Sequence, residues 1–203
     1  MTEDYSLAKR TCEGDLNAFN QLVLKYQELA YNVARRILSD PAAADDATQT
    51  AFISAYRKID SYRGGSFKSW LMRIVTNACY DELRRQKRRP TVNLEPINDD
   101  TGEEIESPMW LADDSLLPEE KIEVGELDKA VQHCLDNLPT DFRIVAIMVD
   151  VEGLDYQVVS DAVGKPLGTI KSRLYRARQR LQNCLQAFQE LLPHKYRLES
   201  GIR

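Results

Sequence analysis

A chain of 203 residues with formal net charge −5 has room for two domains of about 100 residues, each with a core of its own. The charge is unevenly placed: residues 1–90 hold 15 Lys and Arg against 11 Asp and Glu, residues 91–126 hold 1 against 12, and residues 127–203 hold 11 against 9. Two mildly basic lobes around an acidic connector leave nucleic-acid binding open. No apolar run approaches the ~20 residues of a membrane span, and the acidic start Met-Thr-Glu-Asp-Tyr has no signal-peptide apolar region, which together predict a cytoplasmic protein without membrane insertion.

In the first lobe, residues 1–90, a helix is expected over about 17–38, with Phe19, Leu22, Val23, Tyr26, Ala30, Val33 and Ile37 as its buried stripe. Asp40-Pro41 starts the next, because Asp accepts orphan amides and Pro suits the first helical position. Its apolar face is Ala47, Ala51, Ala55, Tyr56 and Ile59, and its outer face carries Asp45, Asp46 and Gln49. Gly64-Gly65 breaks the chain in a loop from Asp60 to Ser66. A third helix, from Phe67 to about Arg88, has an apolar stripe of Phe67, Trp70, Leu71, Ile74 and Ala78. A second stripe, Arg73, Asn77, Asp81, Arg84 and Arg88, leads to a basic end suited to phosphates. Trp70 reads as core and the loop residue Tyr62 as the better base-stacking aromatic. Asp81 would repel phosphate and is expected to pair with Arg84 or Arg85.

The connector, residues 91–117, lacks helical or alternating period and reads as a flexible tether. Its acid run is suited to mimic nucleic acid, and its apolar island Met109-Trp110-Leu111 is suited to dock on a surface. The four cysteines, Cys12, Cys79, Cys134 and Cys184, are far apart and form no Cys-x-x-Cys pair. Cys134 and Cys184 fall on or beside apolar stripes and are expected to be buried reduced thiols. His133 next to Cys134 does not make a zinc site, since neighbours on a helix diverge; no metal or cofactor is expected.

In the second lobe, residues 118–203, Asp155 can cap a short helix with Tyr156, Val159, Ala162 and Val163 on one face. Gly164 ends it and Pro166 precedes the next helix. That helix buries Ile170, Leu174, Ala177 and Leu181 and turns Thr169, Ser172, Tyr175, Arg176 and Gln179 outward, flanked by Lys171, Arg173, Arg178 and Arg180. Two helices joined by a tight Gly-containing turn, the second basic, form a helix-turn-helix whose second helix suits the DNA major groove. There phosphates attract the cations and Arg can pair in bidentate fashion with guanine.

These residues resemble the extracytoplasmic-function (ECF) class of bacterial sigma factors. In the first lobe the resemblance rests on Gly14-Asp15 with Ala18-Phe19, on Ala51 through Arg57, and on Phe67 with Ser69 through Ile74 leading to Asn77. In the second it rests on Leu138-Pro139 with Phe142-Arg143, on Glu152-Gly153-Leu154, and on Gly168-Thr169 through Arg178. It implies an all-α fold of a region 2-like bundle and a region 4-like helix-turn-helix, and a promoter-specificity subunit rather than an enzyme. Asp45, Asp46, Gln49 and Phe52 would dock on the clamp helices of core RNA polymerase. Tyr62 and Asn77 would read the minus-10 element of promoter DNA, with Arg84, Arg85, Arg88 and Arg89 on the backbone. Lys171, Ser172, Tyr175 and Arg176 would meet the minus-35 element, with Arg178 on phosphate. An anti-sigma factor is a common partner in this class. Two departures stand out: Tyr156 through Asp161 lacks the usual acidic pair and places Ser160 at a helix crossing, and Thr50 stands where Glu is common. The rival reading is a stand-alone helix-turn-helix regulator, which leaves the Asp45/Asp46/Gln49 face and the Tyr62 loop without a role. Paired carboxylates at metal spacing, a phosphate loop and a Cys/His nucleophile pattern are all absent from the sequence.

Overall fold

The computed structural model describes residues 3–88 and 118–191; the acidic connector, its Met109-Trp110-Leu111 island and residues 192–203 lie outside the described residues. The chain opens on a helix that the sequence reading did not single out, α1 (Glu3–Cys12), which buries Leu7, Ala8 and Thr11. Asp15 caps α2 (Leu16–Leu38) by accepting from the Ala18 amide at 3.1 Å, and it is held by Arg10 at 2.6 Å. The expected stripe of α2 is buried from Phe19 to Ile37, with Val23 half-buried at its edge. The helix ends at Ser39, whose backbone is left-handed at φ 61°.

Asp40 and Pro41 start α3 (Pro41–Arg57) as anticipated: the Asp40 carboxylate accepts from the amides of Ala42 and Ala43. Its buried side chains are Phe52 and five alanines, Ala43, Ala44, Ala47, Ala51 and Ala55, and the alanines let α3 lie close on its neighbours. Tyr56, assigned to that face, is instead 39% exposed and leans edge-on against Phe19. A 3-10 turn (Ile59–Ser61) and the glycine loop lead to α4 (Phe67–Arg88). Its fully buried line is Phe67, Leu71, Met72, Val75 and Cys79, while Trp70, Ile74 and Ala78 are only half-buried. The apolar surface is broader than one stripe because α4 packs on α2 and α3 on one side and on the helix over Tyr156–Val163 on another.

The second group comprises α5 (Pro118–Asp136), α6 (Thr140–Ala146) running into a π-helical turn (Ile147–Val151), α7 (Tyr156–Val163), α8 (Leu167–Leu185) and a final 3-10 segment (Gln186–Leu191). Cys134 and Cys184, expected as reduced thiols, form a disulfide between α5 and α8, with Cα atoms 5.7 Å apart. Fifty residues separate them in sequence; only the packing of the two helices brings them together. Cys79 is a free thiol pushed up to about 12 by burial, and Cys12 is free and exposed.

Separate cores were expected for the two lobes, but their buried side chains form one continuous cluster. Polar groups stitch the seam. Arg143 donates to the Ile37 carbonyl at 3.0 Å and to that of Asp136 at 2.8 Å, and burial lowers its pKa. Gln132 donates to the Arg36 carbonyl, Arg36 pairs with Asp128 at 2.5 Å, and the Ser39 hydroxyl donates to Asp136. Asp141 accepts from the Tyr80 hydroxyl of α4 at 2.8 Å and from Arg173 of α8 at 2.5 Å. Arg73 of α4 donates to the Asp161 carbonyl of α7.

Candidate nucleic-acid interface

The helix-turn-helix forms where the sequence placed it. Asp155 caps α7 by accepting from the Gln157 amide at 2.7 Å, and Gly164 takes the left-handed backbone, φ 67°, that ends the helix. Ser160, the unusual residue at the crossing, is 8% exposed and braces the turn twice. Its carbonyl accepts from the amides of Gly164 and Lys165, and its hydroxyl donates to the Lys165 carbonyl at 2.6 Å. A small hydroxyl thus fills the crossing and satisfies a turn carbonyl together.

On α8, Ile170, Leu174 and Ala177 are buried, which fixes the helix roll and turns Lys171, Ser172, Tyr175 and Arg176 to solvent. Tyr175 is 64% exposed, and its hydroxyl accepts from Gln179 at 2.8 Å. The Ser172 hydroxyl donates to the Thr169 carbonyl. The arginines divide into two sets. Arg173 turns inward to Asp141, and Arg180 lies over the Phe142 ring at 5.5 Å. Arg178, expected on phosphate, is clamped by both oxygens of Asp150 at 3.0 and 2.6 Å, a hydrogen-bonded pairing that raises its pKa. Arg176 stays on the exposed outer face.

Tyr62 sits half-buried in an aromatic cluster, its ring centroid 5.4 Å from Phe67 and 5.6 Å from Trp70. Its hydroxyl donates to the Gly65 carbonyl at 2.8 Å across a turn in which Gly64 and Gly65 both have left-handed backbone. Asn77 is exposed on α4. Of the pairings anticipated for Asp81, the one formed is with Arg84, at 3.0 Å; Arg85 pairs with Glu82 at 2.6 Å. Arg84, Arg85 and Arg88 are all exposed, so the helix end is a basic tip.

Asp45, Asp46, Gln49 and Phe52 come together on one groove of about 1260 Å³ between α2 and α3. Its apolar wall adds residues the sequence reading missed as surface: Leu16, 59% exposed, and Ile53, 47% exposed. The buried Thr48 hydroxyl, also on the lining, has no hydrogen-bond partner. An apolar trough rimmed by carboxylates suits an amphipathic helix with basic flanks. Among the described residues, no three His, Cys, Asp or Glu side chains gather as a metal site requires, and no helix is long and apolar enough to cross a membrane.

The Sigma-70 region 2 family matches residues 22–89, and the Sigma-70 region 4 family matches residues 128–181. The RNA polymerase sigma-H factor of Pseudomonas aeruginosa is 35% identical over 189 residues, covering 91% of this chain and 94% of that protein. The ECF RNA polymerase sigma-E factor of Escherichia coli (strain K12) is 35% identical over 185 residues, covering 90% and 94%. Among solved structures, the sigma factor RpoE of Bartonella quintana, in complex with the anti-sigma factor NepR, is 26% identical with a TM-score of 0.62, covering 84% of this chain and 98% of that one. CnrH, in complex with the cytosolic domain of CnrY, shares the fold at 21% identity and a TM-score of 0.66, covering 92% and 99%. With its two halves matching regions 2 and 4 in that order and such relatives along nine-tenths of its length, the chain belongs to the ECF sigma factors and is an alternative sigma factor.

Proposed function

We propose that this sigma factor divides its work between its ends: residues 1–90 bind core RNA polymerase and the minus-10 element, and residues 118–203 bind the minus-35 element, with residues 91–117 as the connection. In this reading the α2–α3 groove, with Asp45, Asp46, Gln49 and Phe52, takes a helical element of the polymerase. Tyr62 and Asn77 read the melted non-template strand while Arg84, Arg85 and Arg88 hold its phosphates. Lys171, Ser172, Tyr175 and Arg176 enter the major groove. Unstacking a base costs a few kcal/mol, which a pocket and aromatic stacking offset, so capture of the strand stabilises the open promoter. The chain acts in the cytoplasm, where polymerase and chromosome are, and by analogy with the complexes of its structural relatives an anti-sigma factor covers it when it is idle. It needs no cofactor and carries out no chemistry of its own.

The observation that carries this reading over a stand-alone regulator is the acid-rimmed apolar groove, which a helix-turn-helix repressor has no use for. The test is DNA selection with the chain alone and with core polymerase, followed by run-off transcription. Two-element selection and transcripts only with core are expected. Tight specific binding without core, and no core-dependent transcript, would favour the stand-alone regulator.

A further inference from the structure

We propose that Tyr5 of α1 is a positioning residue for capture of single-stranded minus-10 DNA, a role that rests on assigning the Tyr62–Ser66 turn to minus-10 reading. Helix α1 lies ahead of the stretch that matches region 2, residues 22–89. It is nevertheless fastened to that stretch at its first turn. The Asp4 carboxylate, its side chain 15% exposed, accepts from the Tyr26 hydroxyl and the Lys25 ammonium, each at 2.6 Å. Buried Leu7 and Ala8 fix the helix roll. Tyr5 is thereby aimed at the turn. Its ring centroid is 6.3 Å from that of Tyr62, and a Cβ placed on Gly64 would lie 3.4 Å from its Cε2, so the ring covers the Gly64 backbone.

That turn is costly to order. Gly64 and Gly65 have φ of 95° and 86°, and two successive glycines lose more conformational freedom on ordering than any other pair. Inside the turn, the Tyr62 hydroxyl bonds the Gly65 carbonyl; Phe67 and Trp70 support the Tyr62 ring from α4. Tyr5 closes the remaining side. A loop that is already ordered does not lose entropy again when it captures an unstacked base, so the preorganised turn binds the strand more tightly than a loose one.

The experiment uses holoenzyme assembled from the full chain and core polymerase, with Tyr5→Ala, Tyr5→Leu, Tyr5→Phe and Tyr62→Ala variants. The probes are a non-template-strand oligonucleotide carrying the selected minus-10 sequence and a minus-35 duplex, each read by fluorescence anisotropy. Tyr5→Ala and Tyr5→Leu should weaken the single strand about tenfold and leave the minus-35 duplex unchanged, while Tyr5→Phe restores wild-type binding because the flat ring rather than the hydroxyl covers Gly64. Wild-type single-strand affinity in Tyr5→Ala alongside a weakened Tyr62→Ala would overturn the role of Tyr5 and leave the turn's assignment standing. Wild-type affinity in Tyr62→Ala would remove the assignment itself, and the proposal with it. Should Tyr5→Ala fail to fold, Tyr5→Leu keeps the bulk and decides the matter: wild-type affinity there makes Tyr5 a packing residue only.

Discussion

The arginines of α8 show how one residue type takes different roles within two helical turns. Arg173 and Arg178 have their guanidiniums pinned to Asp141 and Asp150, which orients the helix on its lobe. Arg176 lies one turn from Arg173 on the exposed side of α8, has no carboxylate holding its guanidinium among the described ion pairs, and is the arginine we propose to choose a base. Arg176→Ala should therefore reduce discrimination among minus-35 variants by about 1–3 kcal/mol, the value of a bidentate base contact. Arg178→Ala should lower the melting temperature and weaken all DNA sequences alike. Competition binding against a panel of minus-35 duplexes separates the two, and unchanged selectivity in Arg176→Ala would reassign it to phosphate. The same logic applies on the α2–α3 groove. Asp45 and Asp46 are exposed rim carboxylates outside the core, so Asp45→Arg with Asp46→Arg should leave the melting temperature within a degree or so while sharply reducing association with core polymerase. Normal retention on immobilised core would show that the groove faces something else.

Elements were legible in the sequence wherever a local signal specifies them. Asp40-Pro41 started α3, Asp155 and Gly164 bounded α7, and the Ile170–Leu174–Ala177 stripe rolled α8 so that Lys171, Ser172, Tyr175 and Arg176 point outward. The acidic face of α3 was legible, but its groove was not, because Leu16 and Ile53 read as ordinary apolar residues until α2 and α3 lie side by side. Helix α1 was missed because a ten-residue helix with three buried residues gives little periodicity. The Cys134–Cys184 bridge was misread for a different reason: a disulfide depends on tertiary proximity that spacing alone does not reveal. It ties the end of α5 to the C-terminal part of α8 across a 50-residue separation. Closing such a loop removes unfolded-state entropy worth about 4 kcal/mol at 25 °C. Reduction, or Cys134→Ser, should accordingly lower the melting temperature of the second lobe by several degrees or more, with the oxidised wild type as reference. Identical melting curves with and without a dithiol reductant would mean that the bridge contributes nothing to stability in solution.

At the scale of the whole molecule, the packed arrangement and the promoter pose conflicting demands. Elements centred near minus-35 and minus-10 are separated by about 25 base pairs, or about 85 Å of duplex at 3.4 Å per pair. A lobe of about 80 residues is roughly 30 Å across, so two lobes sharing one core reach about 60 Å at most. Helix α4, which carries Asn77, also lies against α7, with Arg73 bonded to the Asp161 carbonyl. If residues 1–90 take the minus-10 element and residues 118–203 the minus-35 element, as proposed, the seam parts before both are engaged, and a connection of about 30 residues is long enough to permit it. Asp141 is the natural place to loosen it, because its carboxylate joins Tyr80 of α4 to Arg173 of α8. Asp141→Ala leaves the Arg173 guanidinium and the Tyr80 hydroxyl without that acceptor, at a cost on the order of 1–3 kcal/mol to the closed form. The variant should show a larger radius of gyration by solution scattering, and dyes placed on α4 and α8 should move apart. Core polymerase should produce the same separation in wild type. An unchanged α4–α8 distance in promoter-bound holoenzyme would mean that the two lobes meet DNA while still packed, and that the DNA, rather than the protein, bends to close the gap.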